Sequence, residues 1–515
     1  MSEMGFWNFA QQSPDAFALA DPTGRDWTRG ELLAEANKLA HGLRAQGLGK
    51  GDCVAVVLEN CAEMFQLYLA VGQIGMYMTP INNHLTAPEI AFIVQDSGAK
   101  VFIGSAHFGE ECAKAREEIA FPSDKAFSLG AVDGFGSIED IKANQPDTLP
   151  EERSAGQVMN YTSGTTGKPK GVRRPLADIS PDLVATLMSG FLGMFGLQPE
   201  DDNVHICGSP LYHTAVLMFS ANALHCGHGV VLMEKWLPEE MLRLIEKYRV
   251  THSHMVPTQF NRLLKLDESV RNKYDMSSLR AMIHAAAPCP IETKWKMLDW
   301  WGDTIYEYYA ATEGGGTLVS PQEWRKYPGT VGKAWPNSDV KIYDDDANEL
   351  GVGEVGTVYM QLGQADFEYK DAKKKTKDNR IGNYFTVGDV GELNEEGYLF
   401  LRDRKLDMII SGGANIYPAE IESELIQHPK VADVAVFGIP NDDWGEEIKA
   451  VIEVVDGVTP GEDLTAEILA WCGDRLARMK QPRSIDYLDA LPRDPNGKLY
   501  KRKLRDPYWE GRSQI

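Results

Sequence analysis

Positive charge is scarce in this 515-residue chain: 52 Lys and Arg stand against 75 Asp and Glu, a formal net charge of -23 at pH 7. A mean field of that sign repels polyanions. Neither nucleic acid nor an anionic membrane surface is expected as a partner, and any anionic ligand has to be held by local cationic sites. The seven thiols, Cys53, Cys61, Cys112, Cys207, Cys226, Cys289 and Cys472, are odd in number, scattered and never spaced C-x-x-C. No disulfide framework and no zinc site follows, and a reducing cytoplasm is the expected compartment. Long apolar runs are missing as well. The strongest, LVATLMSGFLGMFGL (Leu183 to Leu197), is too short to span a bilayer, so no integral membrane segment is expected. It reads as a buried helix, with the lining of an apolar pocket as the alternative. MSEMGFWNFAQQSPDAF has no basic stretch ahead of an apolar one, so no secretory leader is expected. No repeat of fixed period is visible, and the one charge run, KDAKKKTKDNR at 370–380, reads as a solvated face.

A hydrophobic fraction of 43% with 25% charged residues is that of a globular protein, and the length calls for a large domain plus a smaller one. From residue 30 to about 110, β-rich runs such as CVAVVLEN and AKVFIGS alternate with helical patterns such as AEMFQLYLAVGQIG and TAPEIAFIVQDSG. In the second helix Thr86 can cap and Pro88 sits near the first turn. The alternation predicts α/β layers around a mostly parallel sheet. It returns in GVVLME, in a helix from Pro238 with Met241, Ile245 and Tyr248 on one face, and in THSHMV and AMIHAAAP. Residues 329–402 hold short alternating stretches, VKIYDDD, GTVYMQL and GYLFLRD. After about residue 406 a new pattern fits a compact α+β unit of about a hundred residues. Its end is a cationic island, with nine Lys or Arg against three Asp between Arg478 and Arg505.

One stretch concentrates polar chemistry. YTSGTTGKPKGVRR, Tyr161 to Arg174, packs hydroxyls, glycines and cations together. Glycines turn backbone N–H groups toward a ligand, hydroxyls add donors and lysines add charge, a set suited to a polyphosphate. It is not a P-loop. The first glycine lies three positions before Gly167 rather than five, and Pro169 follows Lys168 where a magnesium-binding hydroxyl belongs.

Further stretches follow in order: PLYH (210–213), HAAAP (284–288), YYAATEGG (308–315), YFTVGD (384–389), DRKLDMIISGGANIYPAEIE (403–422) and PRDPNGKLYKRKLR (492–505). With YTSGTTGKPKGV they resemble the signature motifs of the adenylate-forming enzymes: acyl-CoA synthetases, firefly luciferase and nonribosomal peptide adenylation domains. The resemblance covers nearly the whole chain. It implies an α/β fold, with a large N-terminal domain of layered α/β subdomains and a small β-barrel-like part (1–403), a hinge (404–406), and a small mobile α+β C-terminal domain (407–515). It also implies two half-reactions. A carboxylate attacks the α-phosphate of ATP to give an acyl-adenylate and pyrophosphate, and a thiol, that of coenzyme A, then displaces AMP. ATP, Mg²⁺ and coenzyme A are the implied small molecules; a homo-oligomer stays open.

Residue by residue, the resemblance places Thr162, Ser163, Gly164, Thr165, Thr166, Gly167 and Lys170 around the β- and γ-phosphates, Thr312 on phosphate, and Glu313 with Thr166 at Mg²⁺. Adenosine falls to Ala285, Ala286 and Ala287, with Tyr309 stacking on the purine and Ala310 beside it. Asp389 accepts from the ribose hydroxyls, and Arg404 contacts ribose or phosphate. Lys498, after the turn signal PNG, is the implied adenylation lysine, and His213 is a gate between acyl and thiol channels. After rotation of the small domain, Gly412 and Gly413 of SGGANIYP line the pantetheine channel. Leu406 at the hinge, Ala310 in place of a glycine and Val387 in place of a threonine depart from the common pattern. AVLMFSANAL and Leu183 to Leu197 are apolar and lack a carboxylate, which favours a hydrophobic acid, fatty or steroid side-chain. An aryl acid, a carrier protein as acceptor, and a non-catalytic acyl or nucleotide sensor are the alternatives.

Overall fold

The computed structural model describes residues 4–510 except 163–168, 200–201, 312–313, 363–367, 370–378, 405–406, 413, 442, 474 and 494–498. They fall into two compact units. One comprises Met1–Met255, Leu266–Met282 and Asp366–Asp378, the other Val256–Lys265, Ile283–Ala365 and Asn379–Ile515.

In the first unit, six strands run parallel in the order Gly136–Ser137, Ala126–Leu129, Ala99–Ser105, Cys53–Val56, Tyr77–Pro80, Gln157–Val158. Cys53–Val56 and Tyr77–Pro80 are buried at every position, as strands covered on both faces must be, which is why they read as continuous apolar runs. The helix Ala87–Ser97 follows its local signals. Glu89 accepts from the backbone N and hydroxyl of Thr86 at 2.9 and 2.7 Å, Pro88 occupies the first turn, and Gly98 closes the helix at φ 69°. A further set of this unit orders His252–Met255, Val204–Cys207, Gly229–Leu232 and Phe17–Ala20 in parallel, with Asp26–Thr28 antiparallel beside Phe17–Ala20.

The stretch expected as a buried helix is corrected. It forms Pro181–Gly193, with Ala185, Ser189 and Leu192 buried but Leu183 and Leu187 exposed, Leu187 at 67%. Asp182 pairs with Arg153 at 2.6 Å inside the fold, and the helical period then turns positions 183 and 187 outward. No helix among the described residues is long and apolar enough to cross a membrane.

The second unit carries the part expected to be barrel-like, an antiparallel sheet in the order Arg380–Ile381, Tyr384–Phe385, Gly356–Leu362, Asp389–Leu393, Leu399–Arg404, with Ser338–Tyr343 also on Gly356–Leu362. Strands Ile305–Ala311 and Gly314–Val319 form an antiparallel pair. A β-carbon on Gly316 would stand 2.5 Å from the Tyr309 carbonyl, so the glycine run there is a packing requirement. Past residue 408 lies the α+β part. Ile409–Ser411, Ala414–Ile416, Gly445–Val454, Val431–Asn441 and Ser484–Tyr487 form one sheet, against which helices Pro418–Leu425 and Glu462–Gly473 bury Ile421, Leu425 and Ile468.

Candidate functional site

In the first unit the hydroxyl and glycine loop is carried by a hairpin. Asn160–Thr162 pairs antiparallel with Lys170–Arg173, Thr162 opposite Lys170 and Tyr161 opposite Gly171. Gly171 is needed because a β-carbon would meet the Tyr161 ring at 3.0 Å, and that ring is tied by its hydroxyl to Asp96 at 2.6 Å. Lys170 is half-buried at the loop's exit. Ser163, Gly164, Thr165, Thr166 and Gly167 lie outside the described residues, and Thr162 is described only by its place in the strand.

His213 occupies the N-cap of helix Thr214–His225 in extended backbone, φ -79° and ψ 135°, and its carbonyl accepts from Leu217 N at 3.0 Å. Its ring lies 4.4 Å from that of Tyr212. The helix it starts buries Val216, Leu217 and Phe219. Around Phe219 stand Phe191 at 5.2 Å, Phe195 at 5.7 Å and His254 at 4.9 Å between ring centroids.

In the second unit three of the expected nucleotide contacts meet. The Tyr309 hydroxyl donates to Asp389 Oδ2 at 2.6 Å, and Arg404 Nε stands 3.3 Å from Asp389 Oδ1. Asp389 and Arg404 are register partners on adjacent strands, which explains their pairing; Tyr309 comes from a strand 80 positions away. Asp389 is only 8% exposed, whereas the Arg404 side chain is half-exposed. The turn before Asp389 is held by Gly388, at φ 89°, whose N donates to Thr386 Oγ1 at 3.0 Å. The position of Val387 thus lies within a turn set by its neighbours. Ala285 is buried, Ala287 is half-buried, and Ala286 is exposed in the left-handed region at φ 71°. A non-glycine residue rarely adopts that backbone. Ala310 is half-buried next to a bulge in the strand pair. Thr312 and Glu313 lie outside the described residues.

Asp389→Ala should weaken AMP binding about ten- to a hundredfold, because charge-assisted hydrogen bonds are worth about 1.5–3 kcal/mol. Calorimetric titration with AMP measures this, and affinity within twofold of the parent would remove Asp389 from the nucleotide site.

In the α+β part, Gly412 is left-handed at φ 57° and its N donates to the Trp444 carbonyl at 2.8 Å. A β-carbon there would meet the Trp444 ring at 2.5 Å, and that indole is 59% exposed. Gly412 thus lies close against an aromatic side chain that no sequence pattern marks. Gly412→Ala should cost about 1–2 kcal/mol of stability and displace Trp444. A thermal melt and the tryptophan emission maximum report both effects. Gly413 and Lys498 lie outside the described residues, and the residues on either side of 494–498 are anchored. Arg493 makes a two-pronged pair with Asp433 (Nη2 to Oδ1, 2.8 Å) and bridges to Leu499, while Lys501 Nζ meets Glu422 at 2.9 Å. Burial opposes the Lys501 charge, yet Glu422, Asp403 and Asp407 outweigh it and hold the ammonium above the ordinary lysine range.

Residues 6–364 match the family model described as AMP-binding enzyme, and residues 420–498 match AMP-binding enzyme C-terminal domain. The chain is similar to the long-chain-fatty-acid–CoA ligase FadD13 of Mycobacterium tuberculosis, 33% identical over 97% of each chain. It is also similar to the feruloyl-CoA synthase of Amycolatopsis sp, 32% identical over 98% of each. Among solved structures it superposes on ATP-bound MatB from Rhodopseudomonas palustris with a TM-score of 0.81 at 30% identity, covering 98% of this chain and 99% of that one.

Proposed function

We propose that this chain, which belongs to the AMP-binding enzyme family and is an ATP-dependent, AMP-forming acyl-CoA ligase, activates a hydrophobic carboxylic acid of the fatty or steroid side-chain class. The observation that carries the substrate reading is the helix starting at His213, which buries Val216, Leu217 and Phe219 against an aromatic cluster and contains no carboxylate to pair with an amine. FadD13, named for long-chain fatty acids, supports it. The aryl-acid alternative keeps one specific support, the feruloyl-CoA synthase likeness.

In the proposed cycle, the hairpin loop with Thr162, Ser163, Gly164, Thr165, Thr166, Gly167 and Lys170 steadies the pyrophosphate leaving group. Thr312 aids it, and Thr166 and Glu313 contact the Mg²⁺ that accompanies ATP. The adenine lies along Ala285, Ala286 and Ala287 with Tyr309 and Ala310. Asp389 exchanges its present partners for the ribose hydroxyls, and Arg404 follows to ribose or phosphate. Lys498 draws the acid oxygen and the α-phosphate together by charge. Residues 407–515 then rotate about 404–406 against 1–403, withdrawing Lys498 and bringing Gly412 and Gly413 to the pantetheine arm of coenzyme A, past His213. All seven cysteines are free thiols, which fits a cytoplasmic setting.

The deciding experiment is a panel of medium- and long-chain fatty, steroid side-chain and aryl acids, scored by AMP formed with ATP and coenzyme A. Turnover confined to aryl acids would overturn the fatty or steroid assignment. Acid-dependent pyrophosphate release without thioester formation, restored by a carrier protein, would move the acceptor to that protein.

A further inference from the structure

Behind the loop 285–290 lies a buried ionic cluster that the cycle above does not use. His284 ends the strand Ala281–His284 and leads into the loop; Pro290 closes the loop and starts helix Ile291–Trp301. From the first turns of that helix, Lys294 reaches Glu307 Oε2 at 2.6 Å, and His284 Nε2 faces the same oxygen at 3.4 Å. Lys294 and His284 are 0% exposed and Glu307 6%. The ammonium also lies 4.8 Å from the ring centroid of Trp324, and Phe260 meets the His284 ring edge-on at 5.2 Å. Burial pulls the lysine down and pushes the carboxyl up from their ordinary ranges, and the Cys289 thiol is raised in the same surroundings.

A buried ion pair is a poor way to gain stability, since desolvation offsets the attraction and apolar residues of equal volume do as well; its attested use is to fix a register. The register at stake is visible here. One carboxylate is gripped by the helix just after the loop and faced at 3.4 Å by the ring of the residue just before it. Glu307 itself lies two positions before Tyr309, whose hydroxyl holds Asp389. Between His284 and Lys294 the chain passes through the left-handed Ala286. A slip of the loop along the strand would therefore change the spacing between Ala285–Ala287 and the Tyr309–Asp389 pair.

We propose that Lys294, Glu307 and His284 are positioning residues for adenosine, setting the loop 285–290 against the strand that carries Tyr309 and so the purine selectivity of the enzyme. This rests on the nucleotide reading of Ala285–Ala287, Tyr309 and Asp389 given above. The test is the charge-neutral, volume-matched double variant Lys294→Met/Glu307→Gln, which leaves no unpaired buried charge. Circular dichroism should report a folded protein. AMP affinity should fall about tenfold and the preference for ATP over GTP should shrink by about fivefold, the scale of losing about one hydrogen bond. The KM values for the acid and coenzyme A should stay within about twofold of the parent.

Unchanged AMP affinity and purine preference in the folded variant would overturn the proposal, as would equal loss toward all three substrates. If the double variant does not fold, Glu307→Asp, which shortens the grip by one methylene, is read by the same split and decides in the same way. Asp389→Ala in parallel separates the two levels. If that variant still binds AMP like the parent, the nucleotide reading itself fails; if it loses AMP while Lys294→Met/Glu307→Gln does not, only the positioning role fails.

Discussion

Lys498→Ala should lower acid-dependent pyrophosphate release by about a thousandfold, the scale of losing one preorganised charge at a transition state, while thioester formation from supplied acyl-adenylate continues. The first half-reaction brings a carboxylate against a polyanion within a protein of net charge -23, so it depends on cations placed for the purpose. The second half has a neutral carbonyl as electrophile and AMP as leaving group, and needs no such cation at the α-phosphate. Lys503→Ala, removing an exposed lysine five positions on, serves as the matched control and should change neither rate by more than about twofold. Pyrophosphate release in single turnover and acyl-CoA formation from synthetic adenylate measure the two halves separately. Equal loss in both would refute the assignment.

Mild acid should unfold the first unit well before its carboxylates titrate. On neighbouring strands, His205 and His252 lie 4.8 Å apart, and His228 lies 5.3 Å from His252. His254 packs on Phe219, and His225 accepts from Phe6 N at 3.2 Å. All are buried. Burial depresses His205 to about 3 and His254 and His225 to about 4, and pulls His252 well down. Repulsion from His254 and His228 adds to this for His205, and repulsion from His205, His228 and Arg280 adds to it for His252.

Because the folded values lie below the unfolded one near 6.5, the unfolded chain binds more protons as soon as pH falls past 6.5. Stability is therefore full above that pH and is lost on the way down to 3–4. At pH 5 each histidine with a folded value near 4 withdraws about 2 kcal/mol, so three or four together approach the whole stability of a typical domain. The urea midpoint should be flat from pH 7 to 8 and collapse toward pH 5. His254→Phe, which removes one proton acceptor and keeps a ring against Phe219, should retain more of its midpoint at pH 5. An identical collapse in that variant would assign the acid sensitivity to other groups.

The parallel sheet was legible in sequence because strands buried on both faces leave unbroken apolar runs, as in Cys53–Val56. So was helix Ala87–Ser97, whose cap and stop are written locally in Thr86, Glu89 and Gly98. The burial of helix Pro181–Gly193 is not legible, because overall apolarity says nothing about which side faces solvent, and Leu187 turns outward. Among candidate site residues, motif order singled out Tyr309, Asp389 and Arg404, yet their mutual contact depends on strands brought together by the fold. The Lys294–Glu307 pair is not legible for a related reason. The two residues are 13 positions apart on a helix and a strand, and nothing in either segment marks them as partners.

The anchors on either side of 494–498 set a limit on travel. With Arg493 bridged to Leu499 and pinned to Asp433, and Lys501 pinned to Glu422, the described segments on both sides of Lys498 are fastened to the α+β part. The two segments therefore move with that part as one piece and not as independent tails.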